Sequence, residues 1–107
     1  MMMLVCFDLP RTTKVERRQA NRYQKKLVEL GFTRKQFSLY EREIRQKKTR
    51  QKVIEVLRTE LPNTGVISLY LLPNEVNDQQ VTILGENAVK RTIRKPQLSF
   101  SLKIVEI

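Results

Sequence analysis

The hydrophobic pattern of the chain predicts short strands that alternate with amphipathic helices. Residues 3–7 form an apolar run that ends at Asp8, and Pro10 follows two positions later. Because proline cannot donate a hydrogen bond to a sheet, the first strand is expected to end near Asp8. One carboxylate is therefore placed at the carboxyl end of a strand. An Asp in that position is also a common turn or helix-cap residue.

A helical pattern follows this strand. Thr13 and Glu16 have the spacing of a capping box, in which each side chain bonds to the backbone of the other residue. The apolar stripe of the helix consists of Ala20, Tyr23, Leu27 and Leu30. Gly31 is a favourable residue for ending the helix.

The middle of the chain predicts two more strands, a helix and a fourth strand. Residues 32–44 are rich in aromatic and β-branched residues, but one strand of that length would be unusual, so we predict two antiparallel strands joined near Phe37 and Ser38. The second helical stripe is Val53, Ile54, Leu57 and Leu61, before Pro62. Residues 66–72 form a nearly continuous apolar run, which is typical of a strand covered on both faces.

The last third of the chain is more polar. Residues 74–80 are expected to form a turn or short helix, and residues 81–85 a further short strand. After a basic connector, apolar and polar residues alternate over 98–104, which predicts a half-buried terminal strand. Such a strand suits pairing with an exposed sheet edge, or it closes the sheet of its own chain. We therefore divide the chain into a domain over 1–86 and a connector with terminal strand over 87–107.

This order of elements predicts an α+β fold, the ferredoxin-like βαββαβ sandwich, with additional C-terminal strands. Alternation along the first strand puts apolar side chains on both faces of the sheet, although two helices cover only one face. A homodimer packed sheet to sheet, with terminal strands that cross between protomers, would cover the other face. A two-fold axis near Asp8 would bring two copies of this carboxylate together, where they could bridge a hydrated divalent ion.

Composition restricts the chemistry. The chain contains 21 Lys and Arg against 11 Asp and Glu, a formal net charge of +10, and no His. The absence of His excludes His-ligated zinc and imidazole bases, so that any chemistry would depend on carboxylates, Tyr, Ser, cations or a hard metal ion. A single cysteine, Cys6, cannot form an internal disulfide and favours a reducing compartment. No stretch could span a bilayer, so we expect a cytoplasmic protein without a membrane partner.

The positive charge is concentrated on the outer face of the first predicted helix and in residues 45–52, at the start of the second. Cations at a helix N-terminus oppose the helix dipole, and a bound phosphate would offset that cost. The pattern favours a nucleic-acid partner, although many small proteins have a basic surface that is only solvated. The candidate nucleic-acid-binding residues are Arg17, Arg18, Arg22, Arg45, Lys47, Lys48, Arg50 and Lys52.

Several short segments resemble, as a set, a known family. They are residues 4–10, 16–18, 31–32, 36–40 (Gln-Phe-Ser-Leu-Tyr), 61–65 and 83–85. Together they are similar to the small ferredoxin-like CRISPR-associated family of spacer acquisition, in its type II form. The resemblance extends from the first strand to about Glu86, and the residues after it match only loosely.

The resemblance implies a homodimer that bridges two dimers of the CRISPR integrase and binds the duplex DNA destined to become a spacer. It also implies a nuclease acting on single-stranded RNA or duplex DNA, with one Mg²⁺ or Mn²⁺ ion shared between two copies of Asp8. Asp8 corresponds to the family's metal-site residue, Tyr40 to a catalytic aromatic residue, and Arg34 to a further nucleic-acid contact. Residues 87–107 would cross to the partner protomer or the integrase. The leading hypothesis is the DNA-holding scaffold, because integration chemistry belongs to the partner.

Two other functions suit the same fold. Single-stranded RNA-binding modules stack bases on aromatic residues of the two central strands. Here the first strand offers Phe7, but no Arg/Lys-Gly-aromatic-x-aromatic motif is present. A toxin-like ribonuclease is the second alternative, which neighbouring genes would distinguish.

Overall fold

The computed structural model describes residues 1–85. The chain divides into two units, the first of which is Met1–Asn74 and the second of which begins at Glu75. The elements in chain order are β1 (Met2–Asp8), α1 (Lys14–Glu29), β2 (Thr33–Gln36), β3 (Leu39–Glu43), α2 (Lys47–Leu57), β4 (Val66–Leu72) and α3 (Asn74–Asn77). The predicted βαββαβ order of an α+β ferredoxin-like fold is confirmed, and the predicted hairpin between residues 36 and 39 is confirmed with it.

Strand β1 is an interior strand of the sheet. Within residues 1–85 the strands form one four-stranded antiparallel sheet in the order β2-β3-β1-β4. β1 pairs with β3 from Met2 to Cys6 and with β4 over its whole length, ending where Asp8 pairs with Val66. Because β1 is bonded on both sides, its register determines which face each of its side chains occupies.

The core lies between the helices and one face of the sheet. Met3, Val5 and Phe7 of β1 are buried there. The remaining core residues are Tyr23, Leu27, Phe32, Tyr40, Ile44, Val53 and Leu57. Burial of each large apolar side chain contributes about 1.5–3 kcal/mol of stability. The opposite face of β1, which we call the open face, carries Met2, Leu4, Cys6 and Asp8, and the last two are exposed.

Both ends of α1 are formed by local sequence signals. The Thr13 hydroxyl accepts a hydrogen bond from the Glu16 backbone N–H (3.1 Å), and the Glu16 carboxylate accepts one from the Thr13 N–H (2.8 Å). At the other end, the N–H groups of Gly31 and Phe32 donate to the carbonyls of Val28 and Leu27, both at 3.0 Å. This is a Schellman motif, and it requires the left-handed conformation that Gly31 adopts at φ +87°. The predicted capping box and glycine stop are both confirmed.

Two sequence predictions were wrong, one in the length of a helix and one in the presence of a strand. α2 ends at Leu57, so Leu61 lies outside the helix and is 54% exposed. The chain turns at Glu60, which has a positive φ of 50°, and that turn interrupts the apolar stripe. Residues 81–85 contain no strand, because no ladder pairs them with another described residue, and Ile83 and Leu84 are 76% and 93% exposed.

Three features expected from the sequence stay predictions. The terminal strand over 98–104 lies outside the described residues. The division of the chain at residue 86 is the second of these features, and the sheet-to-sheet dimer is the third. Among residues 1–85, every helix is too short or too polar to cross a membrane.

Tyr23 joins the two helices in the core. Its side chain is 2% exposed, and its hydroxyl donates a hydrogen bond of 2.7 Å to the carbonyl of Leu57 at the end of α2. Burial raises the pKa of Tyr23 above its ordinary value of 10.0. The folded state therefore holds the phenol proton more tightly than the unfolded chain. Its contribution to stability is complete below pH 10.0 and is lost as pH rises through the folded-state pKa.

We expect Tyr23→Phe to lower the free energy of unfolding at neutral pH by about 1 kcal/mol, because the Leu57 carbonyl loses its donor. The variant should also lose less stability than the wild type between about pH 9 and about pH 11. Urea denaturation across this range measures both effects. Tyr70→Phe is the matched control, because Tyr70 is 54% exposed. An equal alkaline loss of stability in all three proteins would contradict the role of Tyr23.

Candidate metal and nucleic-acid site

Three segments meet at the carboxyl end of β1, which we call the Asp8 edge. β1 ends there at Asp8, and β4 begins there because Val66 pairs with Asp8. The turn between β2 and β3 lies at the same end, since the Phe7 N–H donates to the Ser38 carbonyl at 3.0 Å. The predicted position of Asp8 at the end of a central strand is therefore confirmed.

Gly65 allows the chain to pass close to Asp8. A Cβ atom at Gly65 would lie 2.7 Å from the Asp8 carbonyl oxygen and 2.8 Å from a methyl carbon of Leu9. Its φ of +108° is also unfavourable for any residue with a side chain. The sequence predicts a turn at 63–65, but only the structure shows that Gly65 packs closely against the backbone of Asp8.

The Asp8 carboxylate is available for a ligand. It is exposed, and it forms no hydrogen bond or ion pair with another of residues 1–85. Within the same residues, no group of three or more Cys, Asp or Glu is placed to hold a metal ion. A single chain therefore offers one hard oxygen ligand, which suits Mg²⁺ or Mn²⁺ in type but not in number.

The open face around Asp8 is largely apolar. Tyr70 and Leu39 lie beside Leu4 and Cys6, with which they pair across the sheet. Val66 and Tyr70 are 62% and 54% exposed. Toward β2 the face becomes polar, and Lys35 forms an ion pair with Glu41 at 3.8 Å. The prediction that β1 carries apolar residues on both of its faces is confirmed.

Tyr40 lies on the opposite face of the sheet from Asp8. It is 3% exposed, and its ring stacks on that of Phe7 with centroids 5.8 Å apart. Within one chain the two predicted catalytic residues are therefore not brought together. Tyr40 contributes to the core here, and its catalytic role stays a prediction. The sequence could not assign these faces, because they follow from the register of β3 against β1.

The first group of predicted cations extends along α1 from the Asp8 edge. Arg17, Arg18 and Arg22 are exposed. The Arg17 guanidinium donates to the carbonyls of Arg11 and Thr12 at 3.1 and 3.0 Å, so it also fastens the loop between β1 and α1. Arg34, on β2, is exposed and lies over the ring of Phe37.

The second group, residues 45–52, lies at the other end of the sheet. Ile44, just before it, donates its N–H to the carbonyl of Met1 at 3.0 Å. Arg45 pairs with Glu43 at 3.6 Å, and Arg50 donates to the Arg45 carbonyl at 3.0 Å. The remaining cations of this group are exposed: Lys47, Lys48 and Lys52. The structure thus separates the two basic groups to opposite ends of β1, which the sequence alone could not show.

The start of α2 has little to stabilise it locally. Gln46, which precedes the helix, forms no side-chain cap, and the first turn contains no acidic residue. Lys47 and Lys48 stand where the helix dipole is positive, which is mildly unfavourable. The predicted basic start of this helix is confirmed.

Sequence reasoning missed two residues of the Asp8 edge, Arg11 and Phe37. Arg11 directly follows Pro10, and its guanidinium lies 5.1 Å from the centre of the Phe37 ring. The only sequence signal for this pair was that Phe37, a large aromatic residue, lies in a predicted turn. The arginines beside its ring, Arg11 and Arg34, lie 26 and three positions away in the sequence.

The family model of the CRISPR associated protein Cas2 matches residues 1–81. The chain belongs to the Cas2 family. The protein of Ligilactobacillus salivarius named CRISPR-associated endoribonuclease Cas2 is 33% identical over 100 residues, which cover 87% of this chain and 98% of that protein. The protein of the same name from Flavobacterium psychrophilum is 30% identical, over 90% of this chain and 84% of that protein.

A solved structure shows the same fold. The crystal structure of Streptococcus pyogenes Cas2 superposes with a TM-score of 0.63 at 25% identity, covering 79% of this chain and 100% of that chain. The resemblance to the CRISPR-associated spacer-acquisition family is thereby confirmed at the level of the family and its fold. The Cas2 match includes all of the strands and helices that form the Asp8 edge.

We expect Gly65→Ala to lower the free energy of unfolding of this Cas2 protein by about 1–3 kcal/mol, through backbone strain and the clash with Asp8. Gly85→Ala is the matched control. Gly85 also has a positive φ, of +136°, but among residues 1–85 a Cβ there would meet only Thr82, at 3.5 Å. Urea denaturation compares the two variants. Equal losses of stability would show that the close approach at Asp8 does not matter.

Proposed function

We propose that this Cas2 protein is the homodimeric nucleic-acid-binding subunit of a CRISPR spacer-acquisition complex, where it bridges integrase dimers and holds duplex DNA. The observation that carries the proposal is unneutralised positive charge. Of the nine predicted cations, only Arg45 forms an ion pair within residues 1–85. Clustered cations without carboxylates nearby are typical of a protein surface that binds a phosphate backbone.

The open face supports the dimer. A second copy packed on Leu4, Val66 and Tyr70 would remove apolar surface from water, at about 25 cal/mol per Å². Because Asp8 ends β1 on this same face, a two-fold axis near it would place two carboxylates side by side. The residues after 86 would then cross to the partner protomer or to the integrase.

The paired carboxylates support a metal-dependent nuclease centre. Two copies of Asp8 would hold one Mg²⁺ or Mn²⁺ ion, and an ion held there supplies an activated water and neutralises charge on a phosphodiester. Asp8 suits this role, because its carboxylate is exposed and forms no bond with another of residues 1–85. The name of the relatives, endoribonuclease, favours RNA as one substrate class to test beside duplex DNA.

A sheet-stacking RNA-binding module receives no support from the strands. Phe7 is 5% exposed and is part of the core, so it cannot stack a base. Tyr70 is the one aromatic residue that β1 to β4 place on the open face. Membership of the Cas2 family also disfavours an unrelated toxin-like ribonuclease.

We expect single charge reversals in either basic group, Arg22→Glu or Lys48→Glu, to weaken duplex DNA binding on the order of tenfold at low salt. The plot of affinity against salt should also become shallower, by roughly one unit for each phosphate that is no longer bound. Arg58→Glu is the control, because Arg58 is exposed and belongs to neither group. Fluorescence anisotropy with a short labelled duplex measures all three variants. Identical affinities in wild type, Arg22→Glu and Lys48→Glu would refute the duplex-holding role.

We expect Asp8→Asn to abolish Mg²⁺-dependent cleavage of single-stranded RNA or duplex DNA while leaving the dimer and its duplex affinity intact. The reason is that the change removes charge but not volume. Glu29→Gln is the control, because Glu29 is an exposed acid on α1. Cleavage assays and analytical ultracentrifugation on the same samples separate loss of the metal site from loss of the dimer. Cleavage that persists in purified Asp8→Asn would place the activity elsewhere.

A further inference from the structure

The turn between β2 and β3 presents an aromatic ring to solvent beside two arginines. Phe37 is 56% exposed at the Asp8 edge. The central guanidinium carbons of Arg11 and Arg34 lie 5.1 and 4.9 Å from the centre of its ring. Both distances are within the range of cation–π contacts. The turn therefore combines a flat apolar surface with two positive charges.

This cluster is held in place by α1. The two terminal nitrogens of Arg11 donate to the side-chain oxygens of Asn21 and Gln24, each at 2.9 Å. Gln24 in turn donates to the Phe37 carbonyl at 3.4 Å. Asn21 and Gln24 are uncharged, so these bonds fix the direction of Arg11 without neutralising it. Neither Arg11 nor Arg34 forms an ion pair within residues 1–85.

The cluster lies outside the hydrophobic core. Phe37 is not a member of the core cluster. Two guanidinium groups beside one ring also repel each other when no anion lies between them. A ligand that has a flat apolar face and a negative charge would satisfy both properties of the cluster.

A nucleotide has that chemistry, but only an unpaired one exposes its base face. Proteins that bind single-stranded nucleic acid stack bases on aromatic rings and on arginine planes, and they bind the phosphates with cations. A base within a duplex is stacked on its neighbours and cannot be reached in this way. The cations along α1 and α2 lack an exposed aromatic partner of this kind within residues 1–85, and they suit a duplex backbone instead.

We propose that Arg11, Phe37 and Arg34 form a binding site for an unpaired nucleotide, whose base stacks on the cluster and whose phosphate faces the guanidinium groups. The inference rests on the nucleic-acid binding proposed above and extends it. It assigns the single-stranded part of the nucleic acid, an overhang or an opened end, to the Asp8 edge.

The test compares a blunt DNA duplex with the same duplex carrying an unpaired overhang. Phe37→Ala should weaken binding of the overhang duplex roughly fivefold or more, as the loss of one stacked base requires. Its affinity for the blunt duplex should stay within about twofold of the wild type, because phosphate contacts do not involve the ring. Arg58→Glu, which changes an exposed residue outside the cluster, should weaken neither interaction selectively.

A second variant gives a direct signal for stacking. The chain contains no Trp, so Phe37→Trp introduces its one tryptophan at the turn, and this tryptophan can be excited separately from the three tyrosines. It should retain overhang binding, and its emission should be quenched by the overhang duplex but not by the blunt one. If Phe37→Ala is less stable in thermal denaturation, the tryptophan variant still decides the question.

Two outcomes would overturn the inference. One is that Phe37→Ala weakens binding of both duplexes by the same factor, and the other is that the overhang leaves the tryptophan emission unchanged. Either result would leave duplex binding standing and remove only the unpaired-nucleotide site. Failure of the wild type to bind the blunt duplex at low salt would instead count against the proposed function itself.

Discussion

The pairing of β1 on both of its sides is the constraint on which the rest of this molecule depends. The pairing places Met3, Val5 and Phe7 in the core. Because side chains alternate along a strand, Leu4, Cys6 and Asp8 then lie on the open face. One ladder thus sets the packing of the helices and the direction of the carboxylate. A slip of one residue in its register would bury Asp8 and expose the core. The folding of the chain and the chemistry of its edge cannot be separated.

Features encoded by neighbouring residues were predictable from the sequence, and features that depend on pairing were not. The Thr13 capping box, the Gly31 stop and the end of β1 before Pro10 all act within a few positions. The face occupied by Tyr40 depends on the register of β3, which a sequence pattern does not give. Residues 81–85 have strand composition, but no ladder pairs them with another of residues 1–85.

The candidate site shows the same division. Asp8 could be located from its position between an apolar run and a proline. Gly65 appeared only as a turn residue, because its closeness to the Asp8 carbonyl joins residues 57 positions apart. The separation of the two basic groups was also hidden, since it follows from the antiparallel course of β1 and β3 rather than from composition. The number of charged residues can be counted in the sequence, but their positions in space depend on how the strands pair.

The bare start of α2 has an energetic consequence. The Gln46 side chain does not cap the helix, and lysines occupy the first turn. Few interactions at these positions therefore stabilise the helical conformation of the first amides. We expect this turn to open at a lower free energy than the buried turn around Val53. An anion at that position would order the backbone while it was bound. Binding of a ligand at this end of the sheet would then lower the conformational entropy of the chain without a change in its average structure.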